Sequence, residues 1–117
     1  MELAELVRAV ESGNLLEARQ WVADARRAGL QREQCGRPSG LDDRAMTIAA
    51  GLTELLAARA GAAAPIWTNA IGPCANPVFL DPGIEQMPRA LAFTKANAPE
   101  PLRKRNLFAL PDLLDIR

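Results

Sequence analysis

The sequence predicts a mainly α-helical fold: a small single-domain helical bundle in which an N-terminal helical hairpin and a long helix precede a Pro-rich C-terminal half. Three observations support it. The 117 residues include 22 Ala and 16 Leu, which favour helices. Three Phe, two Trp and no Tyr are few for a sheet protein. Eight of the nine prolines lie between Pro65 and Pro111, after a region of helical apolar spacing.

The N-terminal hairpin is predicted over residues 1–30, with helices at about 2–12 and 15–28. Gly13 fits the left-handed position after the first helix. Asn14 fits the N-cap of the second helix, and Glu17 completes a capping box. Trp21 lies beside the apolar face of the second helix and is assigned to the core. The two apolar faces consist of Leu3, Leu6, Val7 and Val10, and of Leu15, Ala18, Val22 and Ala25.

A polar loop at 31–41 contains Gly36, Pro38 and Gly40, and it precedes the best-defined predicted element, a helix over about 43–60 within residues 42–61. Asp42 or Asp43 caps this helix, and Gly61 ends it. Its apolar positions at helical spacing are Ile48, Leu52, Leu55 and Leu56. The loop is the only candidate boundary, and the hairpin alone is too short to fold, so one domain is expected.

The Pro-rich half, residues 62–117, is predicted to hold short helices and one or two short strands. Ile66 and Trp67 form an apolar pair expected to tuck under the helices. Pro88 fits the first turn of a helix to about 96, with Leu91, Ala92 and Lys95 on one face. Residues 77–80 and 107–110 are candidate extended segments, and 99–102 and 111–114 are candidate helical turns.

Composition argues against an enzyme. The chain has no His, which excludes His acid–base pairs, the usual serine triad and His-containing zinc sites. At Asp42 and Asp43, and at Asp112 before Asp115, helix capping is favoured over metal binding or acid–base chemistry. No phosphate-binding glycine loop is present. We expect no catalytic residue, no metal and no cofactor.

The two cysteines and the charge balance indicate the compartment. Cys35 and Cys74 are expected to be reduced thiols in a cytoplasmic protein, because the acidic start does not fit a signal peptide. Spacing leaves a disulfide between them open. No apolar run approaches the length of a membrane span. The 14 basic and 14 acidic residues are spread evenly, so direct nucleic-acid binding is not expected.

The segment Pro99–Phe108 is the candidate partner-binding surface. Arg103 and Arg105 can form forked hydrogen bonds to carboxylates, and Leu102 and Phe108 can anchor the segment, either to its own core or to the partner. Trp67 is a further candidate anchor, because Trp and Arg are enriched at interface hot spots. The alternative is that Phe108 and Trp67 fill the core while the basic triplet Arg103-Lys104-Arg105 solvates a turn.

Three stretches resemble a known domain: the Leu/Ala-rich helix of 49–61 ending in Ala-Arg-Ala-Gly, the Pro-x-Trp of 65–67, and the Pro-x-x-Leu-Arg-Lys-Arg-Asn-Leu-Phe of 99–108. The chain is similar to a helical domain common in actinobacterial proteins. That domain often follows an Xre-type helix-turn-helix domain and is often encoded beside nucleotidyltransferase-like proteins that look like toxin–antitoxin partners. The sequence starts at the helical domain, so we expect no helix-turn-helix before it and carry no DNA binding over from the resemblance.

The resemblance implies a non-catalytic protein-binding module, antitoxin-like or accessory to a co-encoded bacterial enzyme, with nucleotidyltransferase-like proteins as candidates. The alternatives are an interaction or immunity protein with an unrelated partner, and a small cysteine-dependent enzyme. The enzyme alternative is the weaker one, because neither Cys35 nor Cys74 has a visible base. Oligomeric state does not follow from the sequence.

Overall fold

The structure is a computed structural model that describes residues 3–28 and 37–114. Within them the chain is mainly α-helical, as predicted. The helices are α1 (Leu3–Glu11), α2 (Leu15–Ala28), α3 (Asp43–Arg59), α4 (Pro88–Asn97) and α5 (Glu100–Arg103). Two short 3-10 helices, Ile66–Ala70 and Ile84–Gln86, and two strands, β1 (Val78–Phe79) and β2 (Leu107–Phe108), complete the described chain.

The predicted hairpin of α1 and α2 is confirmed, including its corner. Gly13 has a φ of 78°, which costs glycine little. The Asn14 side chain accepts a hydrogen bond from the Glu17 N–H at 3.2 Å and donates to the Glu17 carboxylate at 2.9 Å. The first bond satisfies a backbone donor at the start of α2, and the second holds the two side chains together. The predicted apolar faces are buried except for Leu15, which is partly buried against the core, and Trp21 is 8 % exposed, in the core as expected.

Helix α3 is the centre of the molecule. Asp42 is its N-cap, and the Asp42 carboxylate accepts from the Ala45 N–H at 2.8 Å, so the capping prediction is confirmed. α3 contacts α1, α5 and the first 3-10 helix. Because neighbours cover it on several sides, almost every residue from Ala45 to Ala57 is buried, including Thr53 and Glu54. The helix ends before Gly61, whose φ is 68°.

Strands β1 and β2 pair in parallel, with Val78 opposite Leu107 and Phe79 opposite Phe108. The connection between them contains the second 3-10 helix, α4 and α5. Parallel strands need such a crossover. Val78 and Leu107 are buried against the core, whereas Phe79 and Phe108 are half-buried on the outer face. Both predicted extended segments are therefore present as one small sheet.

Long-range side-chain bonds hold the C-terminal residues 110–114. Arg19 Nε donates to the Leu113 carbonyl at 3.2 Å, and Arg59 donates to the Pro111 carbonyl. The Asp81 carboxylate accepts from the Leu110 N–H at 2.7 Å. Leu113 and Leu114 are consequently buried. The predicted helical turn at 111–114 is a hydrogen-bonded turn rather than a helix.

One prediction about the Pro-rich half is wrong in detail. Ile66 is 86 % exposed, because the three-residue turn of the first 3-10 helix directs Thr68 inward instead. The predicted helix that begins at Pro88 is confirmed as α4, and its buried residue is Thr94. The Thr94 hydroxyl can be buried because it donates to the Ala90 carbonyl at 2.8 Å. None of the described helices is both long and apolar enough to cross a bilayer.

Candidate functional site

The segment Pro99–Phe108 is seated on α3 through Gly51. A Cβ atom at Gly51 would lie 2.9 Å from Leu107 Cδ1 and 3.0 Å from Leu102 Cδ2. Those distances are shorter than van der Waals contact, so the missing side chain makes the space that the two leucines fill. Leu102 and Leu107 are fully buried. Leu102, predicted as a partner anchor, is therefore an anchor to the protein's own core.

Arg105 is an interior residue. Its side chain is 5 % exposed and pairs through Nη1 with the carboxylate of Glu54, which is 9 % exposed. Nη2 donates to the Thr68 carbonyl at 2.7 Å. Arg105 therefore does not lie on the surface, either as a contact for a partner or as a solvated turn residue. Its two terminal nitrogens are held by a carboxylate and a carbonyl of the same chain, which compensates most of the cost of burial, whereas Nε is buried without a hydrogen-bond partner.

The other two members of the basic triplet remain accessible. Lys104 Nζ lies 3.1 Å from the Glu54 carboxylate, and the Lys104 side chain is 47 % exposed. Arg103 pairs with Glu100 at 2.9 Å, and both side chains are largely exposed. An exposed pair of this kind contributes little to stability and exchanges readily with a partner's carboxylate. Of the two arginines predicted to bind a partner, Arg103 alone is placed to do so.

Phe108 and Trp67 are intermediate cases. The Phe108 ring stacks on Phe79, with ring centroids 5.5 Å apart and planes 28° apart. Lys95 Nζ lies 5.8 Å from the Phe79 centroid, within cation–π range. Trp67 is partly buried and packs against the core. Phe108 and Trp67 are therefore partly buried against the rest of the protein, and part of each side chain stays exposed.

Asn106 shapes the turn that places these residues. Its φ of 62° lies in the left-handed region, which Asn tolerates better than most residues. Its side-chain amide donates to the Cys74 carbonyl at 3.1 Å, and the Cys74 N–H donates to the Arg105 carbonyl at 3.1 Å. Asn106 is not among the residues predicted from the sequence. Asn directly after a helical turn is the signal that could have identified it.

An open groove of about 530 Å³ runs along β1 beside the start of α3. Cys74, a free thiol, lies in its wall. A second groove of about 240 Å³ shares Arg44, Phe79 and Glu85 with the first and continues past Leu80 and Asp81. In the described part of the chain, no three Cys, Asp or Glu side chains are grouped as metal ligands. Cys35 and Asp115 lie outside the described residues.

No family model, curated protein or solved structure matches this chain. Function is therefore inferred from the burial, contacts and charge of its own side chains. Two accessible features stand out in the described chain: the outer face of α4 and the groove along β1.

The outer face of α4 was not predicted as a site. Phe93 is 55 % exposed, and Met87, just before the helix, is 48 % exposed. Arg89 and Ala96, four residues before and three after Phe93, are exposed at helical spacing from it, and the adjacent Ala92 is exposed as well. The signal in the sequence is the run Pro88–Asn97 itself, which has apolar residues on more than one face and no acid. A helix that is apolar beyond its buried face has surface left for a second contact.

Proposed function

We propose that this chain is a non-catalytic protein-binding module, antitoxin-like or accessory to a co-encoded bacterial enzyme. The observation that carries the proposal is the exposure of Phe93 on α4, whose buried residue is Thr94. Aromatic side chains are enriched where proteins bind one another, and they supply large contact areas at low entropic cost. Ala92 and Ala96 beside Phe93 allow a partner to approach the helix closely.

Charge indicates the kind of partner surface. α4 carries Arg89 and Lys95 and has no acidic residue, and Arg103 is exposed on the following helix. An acidic surface, such as the cleft of an enzyme that uses carboxylates to hold metal ions, complements these cations. The resemblance to antitoxin-like proteins encoded beside nucleotidyltransferase-like proteins supports the same kind of partner. Phe108 and Trp67 are partly exposed and are proposed as additional contacts to the partner. Leu102 and Arg105 stabilise the fold instead.

The absence of His and Tyr from the sequence supports a binding role over catalysis. The proposal places the chain in the cytoplasm beside its partner, where thiols stay reduced.

The test is co-expression with the product of the neighbouring gene, followed by co-purification and calorimetric titration of the separated proteins. Phe93→Asp is expected to weaken the complex by about tenfold or more, because it places a charge in an apolar contact. Arg103→Glu is expected to weaken it and to reduce its salt dependence.

Leu16→Asp is the matched control, because Leu16 is 80 % exposed on α2 and away from α4. It should leave the affinity unchanged, and circular dichroism should show all variants folded. If the two proteins form no complex, the partner assignment is wrong. If Phe93→Asp and Leu16→Asp behave alike, α4 is not the binding surface.

A further inference from the structure

We propose that the groove along the outer edge of β1 binds an extended basic peptide segment of the partner, which pairs with β1 as an added strand. The inference rests on the proposed function only for the source of the peptide. Its basis is the combination of a groove, an uncovered strand edge and an excess of carboxylates beside that edge.

The strand register leaves one edge of β1 unpaired. The N–H groups of Val78 and Leu80 donate to the carbonyls of Asn106 and Phe108 at 3.0 and 2.9 Å. Backbone groups alternate in direction along a strand, so the N–H and C=O of Phe79 point away from β2. In residues 3–28 and 37–114, β1 has no strand on that side.

The two grooves follow this edge along its length. The larger one is lined by Asn76, Pro77, Val78 and Phe79, and the smaller one continues along Phe79, Leu80 and Asp81. Shared walls make them one elongated depression beside an extended segment. An extended chain fits this shape better than a compact ligand does, and strand addition supplies it with backbone hydrogen bonds.

The charged side chains that line the two grooves favour a basic peptide. Four carboxylates line the grooves, those of Glu11, Asp43, Asp81 and Glu85, against the single cation Arg44. Glu11, Asp43 and Glu85 are exposed and form no ion pair in the described chain. Lys95, over the Phe79 ring, and Arg19, which acts on the Asp81 carboxyl, are further cations close by and still leave the carboxylates in excess. Lys or Arg at alternate positions of the peptide would meet these acids.

The probe is a short fluorescein-labelled peptide of alternating Lys and Val, followed by fluorescence anisotropy with the full chain. Two control peptides separate the contribution of backbone hydrogen bonds from that of charge. One has alternate backbone amides N-methylated, and the other has Glu in place of Lys. N-methylation is expected to weaken binding by about tenfold, because it removes strand pairing and keeps the charge. The Glu peptide should not bind.

The protein variants are Glu85→Arg in the groove wall and Glu5→Arg on the exposed side of α1, outside the groove. Both change the net charge equally. Glu85→Arg is expected to weaken binding by about tenfold and Glu5→Arg by less than about twofold. Equal losses would show non-specific attraction and overturn the site. Equal affinity for the N-methylated peptide would overturn strand addition.

Cys74 locates the bound peptide independently. In a Cys35→Ser background, saturating peptide is expected to slow labelling of the Cys74 thiol by about fivefold or more. An unchanged labelling rate with bound peptide places it elsewhere and rejects the groove. If the complex with the co-encoded enzyme forms but the Lys-Val peptide does not bind, the groove inference fails alone. If the peptide binds but no complex forms, the proposed function fails alone.

Discussion

Glu54, in the middle of α3, and Arg105, 51 residues further along the chain, form a buried ion pair. Lys104 contacts the same carboxylate from the exposed side, and Thr68 offers its carbonyl to the other arm of the guanidinium. The pair therefore joins three parts of the fold: the central helix, the first 3-10 helix and the turn before β2. Its partners have to be in place together, because a lone buried charge is strongly unfavourable.

The first prediction is that breaking this pair costs more than removing it. Arg105→Ala, which leaves Glu54 buried without its main partner, is expected to lower the free energy of unfolding by about 3–5 kcal/mol. The double variant Glu54→Leu/Arg105→Met is expected to recover most of that loss. Urea unfolding followed by circular dichroism measures both. A double variant as unstable as Arg105→Ala would contradict the ion-pair explanation.

The second prediction concerns Gly51. Gly51→Ala is expected to destabilise the protein by about 1–3 kcal/mol, because the new methyl group would press on Leu102 and Leu107. This loss opposes the gain of about 1 kcal/mol that Ala brings to a helix interior. Leu107→Val should reduce the cost of Gly51→Ala in a double-mutant cycle, measured by urea midpoints. Additive effects would show that the two residues do not compete for space.

The third prediction separates core from surface leucines. Leu52 is fully buried in α3, whereas Leu16 is 80 % exposed on α2. Leu52→Ala is expected to cost about 2–5 kcal/mol, as cavity-forming substitutions do, and Leu55→Ala a similar amount. Leu16→Ala should change stability by less than about 0.5 kcal/mol. A shift in the Leu52→Ala unfolding midpoint too small to measure would refute the core assignment.

The helices could be predicted because their signals are local. Apolar spacing, the Asn14 and Asp42 caps and the left-handed glycines each act within one or two helical turns. The burial of Arg105 could not be predicted in that way, because it depends on Glu54 at a distant position. One signal was present: Glu54 is the only acid within the apolar stretch Ala45–Ala57. A single acidic side chain in a buried apolar stretch needs a hydrogen-bonding or ion-pair partner inside the protein.

The pairing of the two strands could not be predicted from local sequence signals either. Residues 78–79 and 107–108 are apolar, which suggested short extended segments, but two-residue strands carry no periodicity that fixes their partner or direction. The outer face of α4 was missed because the position of Thr94, not that of Leu91, decides which side of the helix is buried. The groove beside β1 could not be predicted either, because it forms only where β1 lies beside the start of α3.

The fourth prediction concerns thiol reactivity. Cys35 is expected to react faster than Cys74 with a thiol reagent, because it lies in the most polar loop sequence, whereas Cys74 is half-buried. Cys35→Ser and Cys74→Ser variants assign the two rates. Equal protection of both thiols in the native protein would contradict the expectation, and a Cys35–Cys74 disulfide would overturn the reduced-thiol prediction.

The last prediction concerns pH and Asp81. Burial raises the pKa of the Asp81 carboxyl above its ordinary value of 3.8, against the opposing effects of the Leu110 N–H and of Arg19. The folded protein therefore holds this proton more tightly than the unfolded chain does. The stabilisation from Asp81 is fully present below pH 3.8 and is lost as the pH rises through the folded-state pKa.

Asp81→Asn keeps an oxygen that can accept the Leu110 N–H and removes the titration. The difference in free energy of unfolding, variant minus wild type, is expected to rise in the variant's favour as the pH increases above 3.8, and then to level off. Urea unfolding at a series of pH values measures this difference and cancels the titration of the other groups. A difference that falls with increasing pH would mean that hydrogen bonding, not burial, dominates the environment of Asp81.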